Sequence, residues 1–166
     1  GFIWTFCIAP FYNSLSSDPE GNKKMKKYLF KKIDAFATAE SGGNPAGTVW
    51  LESLNGISHA EMLQIARELK GFVSEVGYIH KIEDGKYGVK YYSSEREVNF
   101  CGHATIAMMH ELFASGEVPG NRKQIKIVTK DGELNVDNRI KSYHAVFIMS
   151  PGPKELTVKP GIDEIA

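Results

Sequence analysis

The spacing of apolar residues divides this chain into short strands and two helices. Residues 27–36 place Leu29, Ile33 and Phe36 in an interrupted strand pattern, and 48–51 form a second short strand. Between them, Ser41-Gly42-Gly43-Asn44-Pro45-Ala46-Gly47 has the composition of a turn-rich loop, and Asn55-Gly56 marks a further turn. Over 58–69, Met62, Ile65, Ala66 and Leu69 fall on one helical face. Ser58 and Glu61 stand at capping-box separation, and Gly71 lies just past the end. Residues 76–82 and 87–92 flank Asp84-Gly85 as a hairpin with a primed turn. A second helix over 103–113 is stopped by Ser115-Gly116. A second hairpin, 124–130 and 133–137, surrounds Asp131-Gly132, and a last strand spans 143–149 before Pro151-Gly152-Pro153.

The second helix decides the architecture. Ile106, Ala107, Met108, Met109, Leu112 and Phe113 leave it almost no polar face, so it must be enclosed on most sides. Strands outnumber helices and most connections are hairpins. The expected fold is α+β: a mixed, mostly antiparallel curved sheet wrapped around a central buried helix.

Length and charge set bounds. A chain of 166 residues can bury one real core and is short for two. Lys plus Arg equal Asp plus Glu at 20 each, which gives no electrostatic case for nucleic acid or an anionic membrane. Cys7 and Cys101 lie far apart and make no disulfide framework, so a reducing cytoplasm is the expected location. The apolar start, 1–11, is too short to span a bilayer and lacks the basic opening of a signal peptide. Its polar sequel ends where the strand pattern opens at Met25. The expected organisation is therefore an extension over 1–24 and a folded domain over 25–150, followed by a tail, 151–166, that reads as cut off on the way to something else.

The candidate chemistry gathers at Phe100-Cys101-Gly102-His103-Ala104-Thr105-Ile106. If a helix starts near Gly102, its unpaired backbone N–H groups form an anion seat, with an imidazole and a thiol beside it. His103 is either a general acid/base or a satisfied structural histidine. Cys101 is either a thiolate activated by the helix start or a small buried hydrophobe. Glu75, at the junction before an apolar strand, becomes a usable acid/base if partly desolvated, and is otherwise a solvated strand-end carboxylate. Gly42-Gly43-Asn44-Pro45 either cradles an anion or turns the chain. No Gly-Lys-Ser/Thr follows it, which excludes a nucleotide P-loop. The five histidines show no metal-ligand spacing and no dinucleotide fingerprint is present, so neither a metal nor a cofactor is expected.

Four segments together resemble the PhzF (phenazine biosynthesis-like) family of isomerases, in the diaminopimelate-epimerase fold group: Ile33-Asp34-Ala35-Phe36, Gly43-Asn44-Pro45-Ala46-Gly47, Ser74-Glu75 and Cys101-Gly102-His103-Ala104-Thr105. The resemblance runs from about residue 25 to 153. It implies a two-lobed protein with its site in the cleft between lobes, and a cofactor-free proton shift on a small carboxylic acid. It places the catalytic glutamate on Glu75, with His103 beside it, and substrate contacts on Asn44, Gly102, His103 and Ala104. It also implies that 25–150 is the N-terminal lobe and 151–166 a truncated linker toward a second lobe that supplies an aspartate and a second anion-binding loop. A lone lobe is expected to pair as a homodimer. Two rival expectations are a cysteine-dependent epimerase or racemase using Cys101, and a non-catalytic module that binds a small carboxylate.

Overall fold

The structure is a computed structural model. It describes residues 26–142 and 145–149 in full, and the backbone of 3–8, 16–17, 23–24 and 143. The side chains of 1–24, and all of 151–166, lie outside the described residues, and with them the expectations of an extension and a linker.

In chain order the strands are β1 (Ile3–Ile8), β2 (Ser16–Ser17), β3 (Lys23–Lys24), β4 (Tyr28–Ala35), β5 (Asn44–Leu51), β6 (Glu75–Glu83), β7 (Lys86–Ser93), β8 (Glu97–Val98), β9 (Gln124–Thr129), β10 (Gly132–Arg139) and β11 (Ala145–Met149). Among the described residues the helices are α1 (His59–Glu68), α2 (Gly102–Ala114) and the short α3 (Ile140–Tyr143), with a 3-10 turn at Leu54–Gly56. Nine strands form one sheet in the order β1-β4-β5-β6-β7-β9-β10-β11, with β8 paired to β7. The pair β2 and β3 stands apart. Two pairings in the large sheet are parallel, β5 with β6 and β7 with β9, and the rest are antiparallel. Each parallel pair needs a crossover, and α1 and α2 supply them.

The two helices pack on opposite faces of the sheet. On one face α1 buries Met62, Ile65 and Ala66 against Phe30, Val49, Val76, Tyr78 and Tyr92. On the other, α2 buries Ala104, Ala107, Met108, Met109, Leu112 and Phe113 among Ile33, Ala46, Ile79, Val89, Tyr91, Ile125, Ile127, Val136 and Val146. Contributions from β4 through to β11 to this second cluster show the sheet curling around α2, as its apolar circumference requires. Both expected hairpins form, as does the complete capping box: Ser58 accepts from the Glu61 amide while Glu61 accepts from the Ser58 amide. Such a cap contributes about 1 kcal/mol.

Three local expectations need correction. The loop at 41–47 is shorter than its composition suggests, because β5 already begins at Asn44. Pro45 is tolerated there because it is the second residue of the strand, before the pairing with β6 begins at Ala46. Phe36 is not a strand residue. It sits past the end of β4 with φ 58° and is 68% exposed. The last strand starts at Ala145 rather than 143, since 140–143 coil into α3.

Two glycines explain how tightly the layers approach. A Cβ at Gly77 would lie 2.5 Å from Met108 Sδ, so the bare backbone of β6 admits the α2 side chain. A Cβ at Gly47 would meet the Phe30 ring at 2.6 Å on the α1 side. No helix among the described residues is long and apolar enough to cross a membrane.

Candidate active site

Strand alternation aims Glu75. The even-numbered Val76 and Tyr78 point at α1, so Glu75, Gly77 and Ile79 point at α2. Glu75 is the first residue of β6 and pairs with Ala46 of β5 on one side and Ser93 of β7 on the other. Its backbone is thus fixed on both flanks at the end of the sheet where α2 begins.

At that end stands the α2 N-terminus. Cys101 occupies the N-cap position with extended backbone angles and makes no side-chain capping bond. Gly102 and His103 follow as the first two helical residues. The helix start is held from behind: Thr105 Oγ1 donates to the Cys101 carbonyl at 2.7 Å and lies 2.6 Å from the Tyr91 hydroxyl, all of it buried. Tyr91 in turn packs edge-on against Phe100. Gly102 is exposed, and a Cβ there would meet only the Phe100 ring, at 3.9 Å. Packing within the described residues does not demand a glycine at 102.

The fold brings Glu75, Cys101 and His103 together. His103 Nε2 lies 3.1 Å from Glu75 Oε2, and His103 Nδ1 lies 3.3 Å from Cys101 Sγ. The side chains of His103 and Glu75 are 14% and 25% exposed, enough to meet a small ligand. Their facing atoms are shielded from solvent and stand at ion-pair distance without the alignment of a hydrogen bond. Burial pushes the Cys101 thiol up to about 11. The amides of Ala104 and His103 oppose that rise, and the Glu75 carboxylate adds to it. The helix start therefore does not win over desolvation, and the thiol stays protonated at neutral pH.

Asn44 sits at the same end of the sheet, as the first residue of β5 and on the surface. Ser74 holds it: Ser74 Oγ donates to Asn44 Oδ1 at 3.1 Å, and the Ser74 amide donates to the Pro45 carbonyl at 3.0 Å. This orients the Asn44 NH2 group away from Ser74. Ala104 is fully buried, and its amide is turned toward the Cys101 thiol. Sequence reasoning named these residues but missed what steadies them. Tyr91 carries no local signal, and Thr105 and Ser74 were legible only as neighbours of Gly102-His103 and Glu75.

Comparison with known proteins places the whole chain. The family model for phenazine biosynthesis-like proteins matches residues 33–161. An uncharacterized isomerase of Clostridium acetobutylicum is 39% identical over 133 residues, which are 79% of this chain and 42% of that protein. An uncharacterized isomerase of Bacillus subtilis is 32% identical over 123 residues, 68% of this chain and 40% of that one. Among solved structures, a PhzF-family phenazine biosynthesis protein of Enterococcus faecalis superposes with a TM-score of 0.58 at 32% identity, covering 67% of this chain and 40% of its own. The chain thus spans about two fifths of the length of these relatives. With residues 33–161, more than half of the chain, matched by that model, the chain belongs to the phenazine biosynthesis-like (PhzC-PhzF) family.

Proposed function

We propose that this lobe carries the acid/base half of a cofactor-independent isomerase site acting on a small carboxylic acid. The observation that carries it is the 3.1 Å approach of His103 Nε2 to Glu75 Oε2 beside the amide end of α2. The substrate carboxylate would sit on the amides at Gly102, His103 and Ala104, where free donors and the helix dipole favour negative charge. Asn44 would donate from the flank. Glu75 takes the proton from the carbon next to an unsaturated group, and the C–H electron pair moves into the neighbouring π system. Protonated Glu75 then returns the proton to the adjacent carbon. One C–H bond breaks, another forms, and no electrons are gained or lost. The helix amides hold the charge that develops between the two steps, and the His103 imidazole stands beside the carboxyl, whose backbone is fixed by pairing on both sides.

The high-lying thiol supports Glu75 over Cys101 as the base, because a protonated, buried sulfur is a poor proton acceptor. The relatives' greater length supports a site completed by a second lobe, or by pairing of two copies. The test is deuterium incorporation at substrate carbon in deuterated water, over small cyclic and amino carboxylates, run on this chain and on a full-length relative. Glu75→Gln should abolish incorporation in both while Cys101→Ser keeps most of it. The opposite pattern selects the thiol mechanism. Carboxylate binding with no incorporation in any form selects the binding module.

A further inference from the structure

We infer that Glu75, Cys101 and His103 form a binding site for a zinc-class divalent cation. One donor atom from each residue, a carboxylate oxygen, a thiol sulfur and an imidazole nitrogen, lies within 4.8 Å of the other two. No regular spacing announces this set in the sequence, because Glu75 arrives from another strand. Tetrahedral zinc with Zn–N, Zn–O and Zn–S bonds of about 2.0–2.3 Å separates its ligands by about 3.3–3.6 Å, so side-chain movement of about 1 Å closes the triangle. Mixed sulfur, nitrogen and oxygen donors suit zinc or cobalt and are a poor match for magnesium or calcium, which take oxygen alone.

A second observation points the same way. Glu75 Oε2 and His103 Nε2 are shielded from water, yet neither makes an aligned hydrogen bond. Two buried polar atoms that face each other without a directed partner are costly. A cation taken by His103 Nε2 and Glu75 Oε2 satisfies both atoms, with the Cys101 sulfur, now 3.3 Å from His103 Nδ1, turning to the Nε2 side to complete the set. Three protein ligands leave a fourth position, on the side where Glu75 and His103 are partly exposed. On the isomerase reading, a substrate carboxylate at the α2 start would meet the same side. Binding of the cation displaces the thiol proton to solvent and engages the carboxyl that the isomerase reading needs free. Metal occupancy and proton transfer therefore exclude one another. The site itself stands without that reading, and only the inhibition rests on it.

The experiment titrates cobalt(II), then zinc(II), into the full 166-residue chain carrying Cys7→Ser. The expected result is a sulfur-to-cobalt charge-transfer absorption that saturates at one metal per chain and is displaced by zinc. Cys101→Ser should erase the absorption, and Glu75→Gln or His103→Ala should weaken binding at least about tenfold, the lower end of what even outer-shell changes cost metal sites. Zinc should also protect Cys101 from alkylation, a readout that needs no site variant and survives any folding defect in one. No saturable absorption, an absorption that Cys101→Ser leaves unchanged, or alkylation indifferent to zinc would overturn the site. In the deuterium assay zinc should abolish incorporation. Zinc binding without deuterium exchange in either this chain or the full-length relative retires the isomerase reading and leaves the metal site standing.

Discussion

Gly102 separates a structural role from a functional one. Glycines usually stand where φ is positive or where backbone and side chain crowd together, and neither condition holds at 102. Gly102→Ala should therefore leave stability within about 0.5 kcal/mol, as surface changes generally do. The methyl group would stand in front of the helix amides, so apparent KM for a carboxylate substrate should rise while the melting temperature holds. A thermal melt beside steady-state exchange kinetics checks both halves. At Cys101 the expectation concerns pH. Burial raises the folded thiol to about 11 against an ordinary value of 9.0. Because the neutral form is the one the fold favours, this contribution to stability is complete below pH 9.0 and drains away as pH climbs through about 11. With Cys7→Ser in place, the alkylation rate of the metal-free chain should turn up near pH 11 rather than near 9, and Glu75→Gln should bring the turn down.

Among elements, β6 and α2 carry the site, and their fit is set by Gly77 and Met108. A side chain at 77 would collide with a sulfur that has no exposed surface to retreat to. Gly77→Val should cost about 1–3 kcal/mol, as overpacked cores do, and should tilt Glu75 relative to His103. Pairing it with Met108→Ala should recover part of the loss, measured by denaturant unfolding of the double variant. Much of this level was legible in the chain. The apolar circumference of 103–113 required a surrounding sheet, Asp84-Gly85 and Asp131-Gly132 marked hairpins, and Ser58 with Glu61 marked a helix start. What could not be read was long-range. Nothing local says that Lys31 reaches Glu111 across 80 residues to pair β4 with α2, or that Tyr91 steadies the helix start through Thr105. Asn44 to Gly47 was misread as loop because its Pro and Gly content outweighed a pairing partner that only the fold supplies. The same limit applies to the site. Glu75 and His103 were each ambiguous alone, and their juxtaposition depends on which face of β6 the odd residues take.

For the molecule as a whole, the order β7, α2, β9 has a mechanical consequence. These strands are neighbours in the sheet, so α2 cannot swing out without straining the β7–β9 pairing. The helix amides from Thr105 onward should exchange with deuterated solvent only through global unfolding, at rates that follow overall stability. Those of α1, which caps the other face through a smaller cluster, should exchange sooner through local opening. Hydrogen-exchange mass spectrometry across a denaturant series distinguishes the two.

Helices on both faces leave the middle strands no water-facing side. Val76-Gly77-Tyr78-Ile79 is buried residue after residue, and Ala46-Gly47-Thr48-Val49 likewise. Such stretches are safe only while covered. A variant that loosens either helix uncovers adhesive ribbon, and its first symptom is expected to be precipitation during expression rather than a sluggish catalyst.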